Sequence, residues 1–324
     1  MAIGESQTDE TGTGGPAEVE ADVGLRYTIK QIRRDTSARI ALYVIAFISA
    51  VAVYATIDAV LLNYAIAEQY LYHPERDLSN TQRLLPPPGM ENNFGQGTWA
   101  HPLGTDDRGR DVLVRLIYGT RIAITVGFLS TVIGLVGGTI IGAVSGYYGG
   151  WVDDALQRIV ETIYAIPFLV LVIAFMAAFG RSLTYAMIGV GITSIPVFNR
   201  LIRSRVVSVR EEDYIEAAKA AGVKDRHIIL RHVIPNSFAP VLVQATLQIG
   251  IAILIIAGLS FLGYGAQPPT PSWGQMLNKA AQGGRMVSAP TFSIWPGLAI
   301  LITVVAFNLF GDGLQDALDP RIDN

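Results

Sequence analysis

The chain contains no cysteine. Disulfides, thiolate metal sites and cysteine nucleophiles are therefore excluded. Histidine is nearly as scarce: His73, His101, His227 and His232 all fall in stretches that read as loops, and none has a partner at metal-ligand spacing. No Gly-x-x-x-x-Gly-Lys-Ser/Thr loop occurs, so the chain lacks the phosphate cradle it would need to bind ATP itself. His-Glu-x-x-His and Gly-x-Ser-x-Gly are also missing, which argues against the common hydrolytic centres. Charge is sparse, at 16% of 324 residues against 51% hydrophobic. With a mean hydropathy of +0.39, that balance is one of a polytopic membrane protein. The basic residues flank apolar runs and form no basic face interleaved with aromatics, so a nucleic-acid role has no support.

The charge that is present is unevenly placed. Residues 1–24 carry Glu5, Asp9, Glu10, Glu18, Glu20 and Asp22 and no Lys or Arg. This acidic tail cannot bury a core and is expected to be disordered. Arg26, Lys30, Arg33, Arg34 and Arg39 follow, so residues 1–39 read as a cytoplasmic tail plus a basic juxtamembrane segment.

Apolar runs then divide the chain. Residues 40–64 are long enough to cross a bilayer, and the run continues too far for a cleaved signal peptide. Asp58 lies within that run, and its position near the outer end predicts a solvated carboxylate. Residues 65–117, rich in Pro and Gly, read as an extracytoplasmic segment. Within it, His101-Pro-Leu-Gly-Thr-Asp106-Asp-Arg-Gly-Arg-Asp111 lacks a credible metal spacing. Arg108 and Arg110 are expected to pair with the carboxylates and lock a turn before a helix starting near Asp111.

Residues 118–312 read as a five-helix core, with spans expected over 122–146, 160–179, 183–198 (broken by Pro196), 238–262 and 293–310. Gly134, Gly138, Gly142, Gly146 and Gly150 recur every four residues and form a stripe suited to close helix packing in lipid. Arg158 and Glu161, three apart, are placed to neutralise each other. Gln244 and Gln248, one turn apart in the fifth span, either bond a neighbouring helix or face a water-filled path. A final tail covers residues 313–324.

The polar, Arg-rich stretch at 200–236 breaks this pattern. Asp213 to Ala221 is rich in helix formers, Gly222 is the expected stop, and a second helical piece from about Lys224 to Val233 is expected to be closed by Pro235. Its basic residues place it in the cytoplasm, in agreement with the span count from a cytoplasmic N-terminus. Glu216-Ala-Ala, then Gly222, then Ile234-Pro235 resembles the EAA motif of the membrane-spanning subunits of ABC importers. The ending Arg231-His232-Val233-Ile234-Pro235-Asn236 is similar to that of the dipeptide/oligopeptide permease branch, second-permease type. The His101–Asp111 run, Gln267-Pro-Pro-Thr-Pro-Ser-Trp-Gly274 and Gly311-Asp312-Gly313 through Pro320-Arg321 resemble signatures of the same branch.

That resemblance implies an all-α permease of the type I ABC importer fold, with six transmembrane helices, cytoplasmic termini and a place in the plasma membrane. It implies a non-catalytic subunit: ATP and Mg are used by two partner ATPases, and no cofactor or metal belongs to this chain. The other implied partners are a second homologous permease, an extracytoplasmic solute-binding protein and the lipid bilayer. Glu216, Ala217, Ala218, Gly222 and Pro235 would form the loop that couples to the ATPase, and Gly222→Asp is expected to abolish coupling while leaving insertion intact. Peptides are the implied substrate, with oligosaccharides or nickel as alternatives carried by the same architecture. A secondary carrier driven by ions is the rival from another class. It would keep ionisable residues at mid-membrane and repeat its halves, and neither feature is evident.

Overall fold

The computed structural model describes residues 31–77 and 82–318. The acidic tail, the first basic residues and Pro320-Arg321 lie outside the described residues. The helices are α1 (Thr36–Val60), α2 (Ala65–Tyr70), α3 (Val112–Tyr148), α4 (Gly150–Ala165), α5 (Phe168–Phe179), α6 (Leu183–Val209), α7 (Asp213–Ala220) and α8 (Asp225–Ile228). A π-turn (Ile229–Val233) leads into α9 (Ile234–Ser237), followed by α10 (Ala239–Phe261), α11 (Trp273–Ala281), α12 (Arg285–Ser288) and α13 (Thr291–Leu318). A two-stranded hairpin, β1 (Glu91–Asn92) and β2 (Gly95–Gln96), is the sheet among the described residues.

Five helices, α1, α3, α6, α10 and α13, are each long and apolar enough to cross a membrane. The sixth crossing expected from the sequence, 160–179, is not one helix. The chain turns by 92° between α4 and α5, at Ile166-Pro167. Pro167 removes a donor and disfavours a helical residue before it. The 12 residues of α5 reach only about 18 Å, short of a hydrocarbon core of about 30 Å, so α5 crosses only together with α4. Two other boundaries move. Helix α6 runs through Pro196 to Val209, so Arg200, Arg203 and Arg205 belong to a helix and not to the following loop. Proline is tolerated there because packed neighbours and hydroxyl side chains can satisfy the freed backbone in a membrane helix. Helix α13 continues through the residues expected to form a tail, as far as Leu318.

The glycines of α3 set the closest contact in the bundle. A Cβ on Gly134 would stand 2.6 Å from the Cβ of Ser194, one on Gly138 2.5 Å from the Cβ of Phe198, one on Gly142 3.1 Å from the Cβ of Ile202, and one on Gly146 3.0 Å from the Cβ of Val206. Both series advance by four residues in the same direction, so α3 and α6 run parallel in a register that only hydrogen side chains admit. Gly150, the last of the periodic series, has no atom within 4 Å of such a Cβ and sits beyond the α3 end. Parallel helices require the chain to return between them, and α4 and α5 make that return. Two turns before Gly134, a Cβ at Gly127 would meet Ile253 of α10 at 2.7 Å. Gly313 of α13 lies against Ala38 of α1, which brings the two ends of the described chain to the same end of the bundle.

Asp58 is not solvated. It is fully buried, and α2 folds back over it so that Ile66 N–H (2.9 Å) and Ala67 N–H (3.2 Å) donate to its two oxygens. The Tyr118 hydroxyl of α3 donates to the same carboxylate. Three donors, two of them at a helix start, offset the cost of burying the charge. The segment between α1 and α3 is held by a second buried group of charges. Asp106 accepts from Arg110 Nε at 2.8 Å, and Arg108 reaches Asp77 at 3.8 Å, so both arginines find carboxylates. Asp111 caps α3 through Val114 N–H (2.9 Å) and holds His101 Nδ1 at 2.9 Å. Arg115, 1% exposed, donates to the Pro74 carbonyl at 2.6 Å and to Gln275 Oε1 at 3.3 Å, joining α3, the segment before it and α11.

Gly138→Val places two methyl groups where Phe198 and the α6 backbone already stand. Overpacking of this kind costs about 1–3 kcal/mol where the neighbours can shift and more where backbone is met. We expect a marked fall in the detergent melting temperature for Gly138→Val, and little change for the same substitution at Gly258, which faces open space. His73 gives a pH prediction. Its Nδ1 accepts from the N–H groups of Glu75 and Arg76, at 3.2 Å each. Burial first, and the neighbouring Arg76 second, hold its pKa below the ordinary 6.5. The folded turn thus prefers neutral imidazole, and its stability is complete above the unfolded value and declines as pH falls through 6.5. Amide exchange at Glu75 and Arg76 should accelerate, beyond its intrinsic pH trend, from about pH 7.5 to about 5.5. No such acceleration, or the reverse, would contradict this.

Candidate functional site

The polar segment between α6 and α10 projects from the end of the bundle where α3 and α6 stop. Helix α7 carries Asp213 and Glu216 in its first turn and Lys219 in its last, the arrangement that suits the helix dipole. It has one fully buried side chain, Ile215, set among Ile202, Val206, Ile228 and Val233. Ala218, one turn on, is half-buried against the same cluster. The opposite face carries Glu216, Ala217, Ala220 and Ala221, all exposed. After one glutamate, that face is a low ridge of methyl groups. Gly222 follows with φ +77°, a conformation that a Cβ disfavours, so a glycine closes the helix and turns the chain into Val223 and Lys224. Space around Gly222 is open, so the requirement there is conformational and not steric.

The second piece differs from the expected single helix closed by a proline. Helix α8 is one turn long, a π-turn follows over Ile229–Val233, and Pro235 sits at the start of α9 instead of ending a helix. An N-terminal position needs no backbone donor, which is why the proline fits. Pro235 is exposed, as are His232 and Asn236, and the Asn236 amide donates to the Tyr214 hydroxyl at 3.0 Å.

Of the two glutamines, Gln248 is buried and its Nε2 donates to Ser194 Oγ of α6 at 2.9 Å. Gln244, one turn nearer the polar segment, is half-buried and lines a cleft with Arg205, Asn236 and Gln315.

Polar links beneath the segment were not visible in the sequence. Arg203 of α6 donates to Asp153 of α4 at 2.7 Å. Asn199 donates to Gln157 Oε1 at 2.9 Å, and Gln157 donates onward to Ser145 Oγ at 3.0 Å. Arg210, at the end of α6, donates to the carbonyl of Gly146 at 3.1 Å and that of Tyr147 at 3.4 Å, capping the last turn of α3. The Tyr147 hydroxyl donates to Asp225 Oδ1 at 2.8 Å. The one usable signal was the spacing of Arg203 and Arg210, a two-turn repeat on a helix that the sequence reading ended too early. Among the described residues, no group of three or more His, Asp or Glu side chains is placed to hold a metal ion.

Residues 138–324 match the family described as the binding-protein-dependent transport system inner membrane component. The dipeptide transport system permease protein DppC of Alkalihalophilus pseudofirmus is 41% identical over 297 residues, 92% of this chain and 90% of that protein. The glutathione transport system permease protein GsiD of Pectobacterium atrosepticum is 45% identical over 223 residues, 69% and 73% of the two chains. Among solved structures, a chain of the inward-facing MetNI methionine ABC transporter superposes with a TM-score of 0.51 at 22% identity, over 64% of this chain and 97% of that one, a likeness of fold alone. The matched region contains the α6–α10 segment and all but the first 26 residues of α3, and with the near full-length relative it establishes that this multi-pass membrane protein belongs to the binding-protein-dependent transport system inner membrane component family.

Proposed function

We propose that the chain is one membrane-spanning half of an ATP-driven ABC importer for di- and oligopeptides, with the α7–α8 segment as its contact with the ATPase. The observation that carries this reading is the exposed ridge of Glu216, Ala217, Ala220 and Ala221 ending at Gly222, presented on a helix whose other face is anchored by Ile215. Small side chains let a helix enter a groove closely, and a rigid base lets it transmit force from that groove.

In this arrangement ATP and Mg are handled by two partner ATPases, and a second homologous permease completes the pathway. An extracytoplasmic binding protein delivers the solute to the face formed by the outer segment and α11. The bundle crosses six times, counting α4 and α5 together, with the N- and C-terminal ends and α7–α8 in the cytoplasm. The basic residues around α7–α8 and before α1 support that orientation. Gln244 is the polar side chain we assign to the pathway; Gln248 is already engaged with Ser194. Peptide as substrate rests on the kinship with dipeptide and glutathione permeases. An ion-driven carrier is the weaker reading, because Asp58, the buried carboxylate of α1, already receives three donors.

Two experiments test this. Affinity purification from membranes in mild detergent should recover a P-loop ATPase and a second multi-span protein; a lone oligomer would contradict it. Ala217→Trp, on the exposed ridge, should abolish uptake and ATPase association with unchanged membrane insertion and melting temperature. Ala218→Trp should lower the melting temperature as well, since that position packs inward. Normal uptake by Ala217→Trp or by Gly222→Asp would overturn the assignment of the segment.

A further inference from the structure

The segment from Asp213 to Ser237 touches the bundle mainly through aliphatic side chains, Ile215, Ile228, Ile229 and Val233. Such contacts hold by area and have no preferred direction. Among the described residues, one side-chain hydrogen bond joins this segment to the transmembrane helices: Tyr147 Oη to Asp225 Oδ1, at 2.8 Å. The remaining side-chain bonds, Asn236 to Tyr214 and Ser237 to the Val233 carbonyl, stay inside the segment. The same tyrosine ring lies under Lys219, with Nζ 5.2 Å from the ring centre. Lys219 lies in the last turn of α7 and Asp225 begins α8, so both sides of the turn containing Gly222 bear on one side chain.

Tyr147 is itself well fixed. It is 7% exposed, and Tyr148 packs edge-on against its ring at 5.3 Å. Its carbonyl and that of Gly146 are held by Arg210 of α6. Gly146, the residue before it, is the last of the glycine register that locks α3 to α6. A displacement of α7–α8 therefore has a directional route into the two most tightly packed helices, and it passes through the hydroxyl of Tyr147.

We propose that Tyr147 and Asp225 are positioning residues that convert movement of the ATPase-contacting segment into movement of the α3–α6 pair. The inference rests on the functional reading above and adds which atoms carry the force. Without the bond, the segment keeps its apolar seat and its exposed ridge, so it still meets its partner, but it slides against the bundle instead of driving it.

The test uses the complete transporter in proteoliposomes, with its binding protein and a dipeptide, and reads peptide imported per ATP hydrolysed. Tyr147→Phe keeps the ring under Lys219 and removes the hydroxyl. Asp225→Ala acts from an exposed position and opens no cavity in the core. Each should lower the ratio by about fivefold, the lower end of ordinary coupling between sites. The double variant should fall no further than either single one, because all three remove the same interaction. ATPase recovery with Tyr147→Phe, which lies in α3 outside the α7–α8 segment, should match the parent. A purely structural role would reduce the amount of assembled transporter and leave the ratio unchanged, and that result, or additive losses in the double variant, would overturn the proposal. If the parent complex contains no ATPase, the functional reading fails first and takes this inference with it. An intact parent with an unaltered Tyr147→Phe ratio sinks the inference alone.

Discussion

The fold depends on how closely α3 approaches α6. Between two helices in lipid there is no hydrophobic drive, because the surrounding chains are as apolar as the side chains, so association rests on van der Waals contact and buried polar bonds. Four glycines at four-residue spacing supply the contact, meeting Ser194, Phe198, Ile202 and Val206 in step. Asn199–Gln157–Ser145 and Arg203–Asp153 supply the polar bonds along the same seam and bring α4 into it. Because the pair is parallel, α4 and α5 have to return the chain, and the break at Pro167 lets them do so with helices individually too short to cross.

That pair also gives the α7–α8 segment something rigid to stand on. The ends of α3 and α6 are tied by Arg210, and α7–α8 sits on them through a small aliphatic core, the Tyr147–Asp225 hydrogen bond and the Lys219 ammonium over the Tyr147 ring. At the far end of α3, Asp111 and Arg115 anchor α11 and the segment between α1 and α3. One helix of 37 residues therefore links the segment between α1 and α3 with the α7–α8 segment. About 55 Å of continuous helix is long enough to protrude from the bilayer on both sides.

Much of this was legible in the sequence. The apolar runs located five helices long and apolar enough to cross a membrane, the glycine period marked the α3 contact face, and Asp213 to Gly222 marked a short helix stopped by a glycine. What escaped were features that depend on partners distant in the chain. Asp58 looked like an interfacial charge because nothing near it in sequence shows that α2 folds back to donate two amides. The 160–179 run looked like one span because averaged hydropathy is blind to a bend. Pro196 was taken as a break within its span and Pro235 as a terminator; tertiary contacts keep α6 helical through the first, and the second begins a helix. Ala218 counted with Ala217 as part of the docking face, although helix geometry turns it inward beside Ile215. Tyr147 and Asp225 are 78 residues apart, and no local pattern joins them.

The absence of cysteine allows a direct measurement of the central claim, that the ridge on α7 is buried by a partner ATPase. A single Ala217→Cys variant can be labelled with a thiol reagent in inside-out membranes, with and without the ATPase subunits, using Val287→Cys on the opposite, outer face as a reference; Val287 is 88% exposed. The account predicts rapid labelling of Ala217→Cys alone, strong protection when the ATPase is present, and no ATPase effect at Val287→Cys. Equal labelling of Ala217→Cys with the ATPase bound would contradict it.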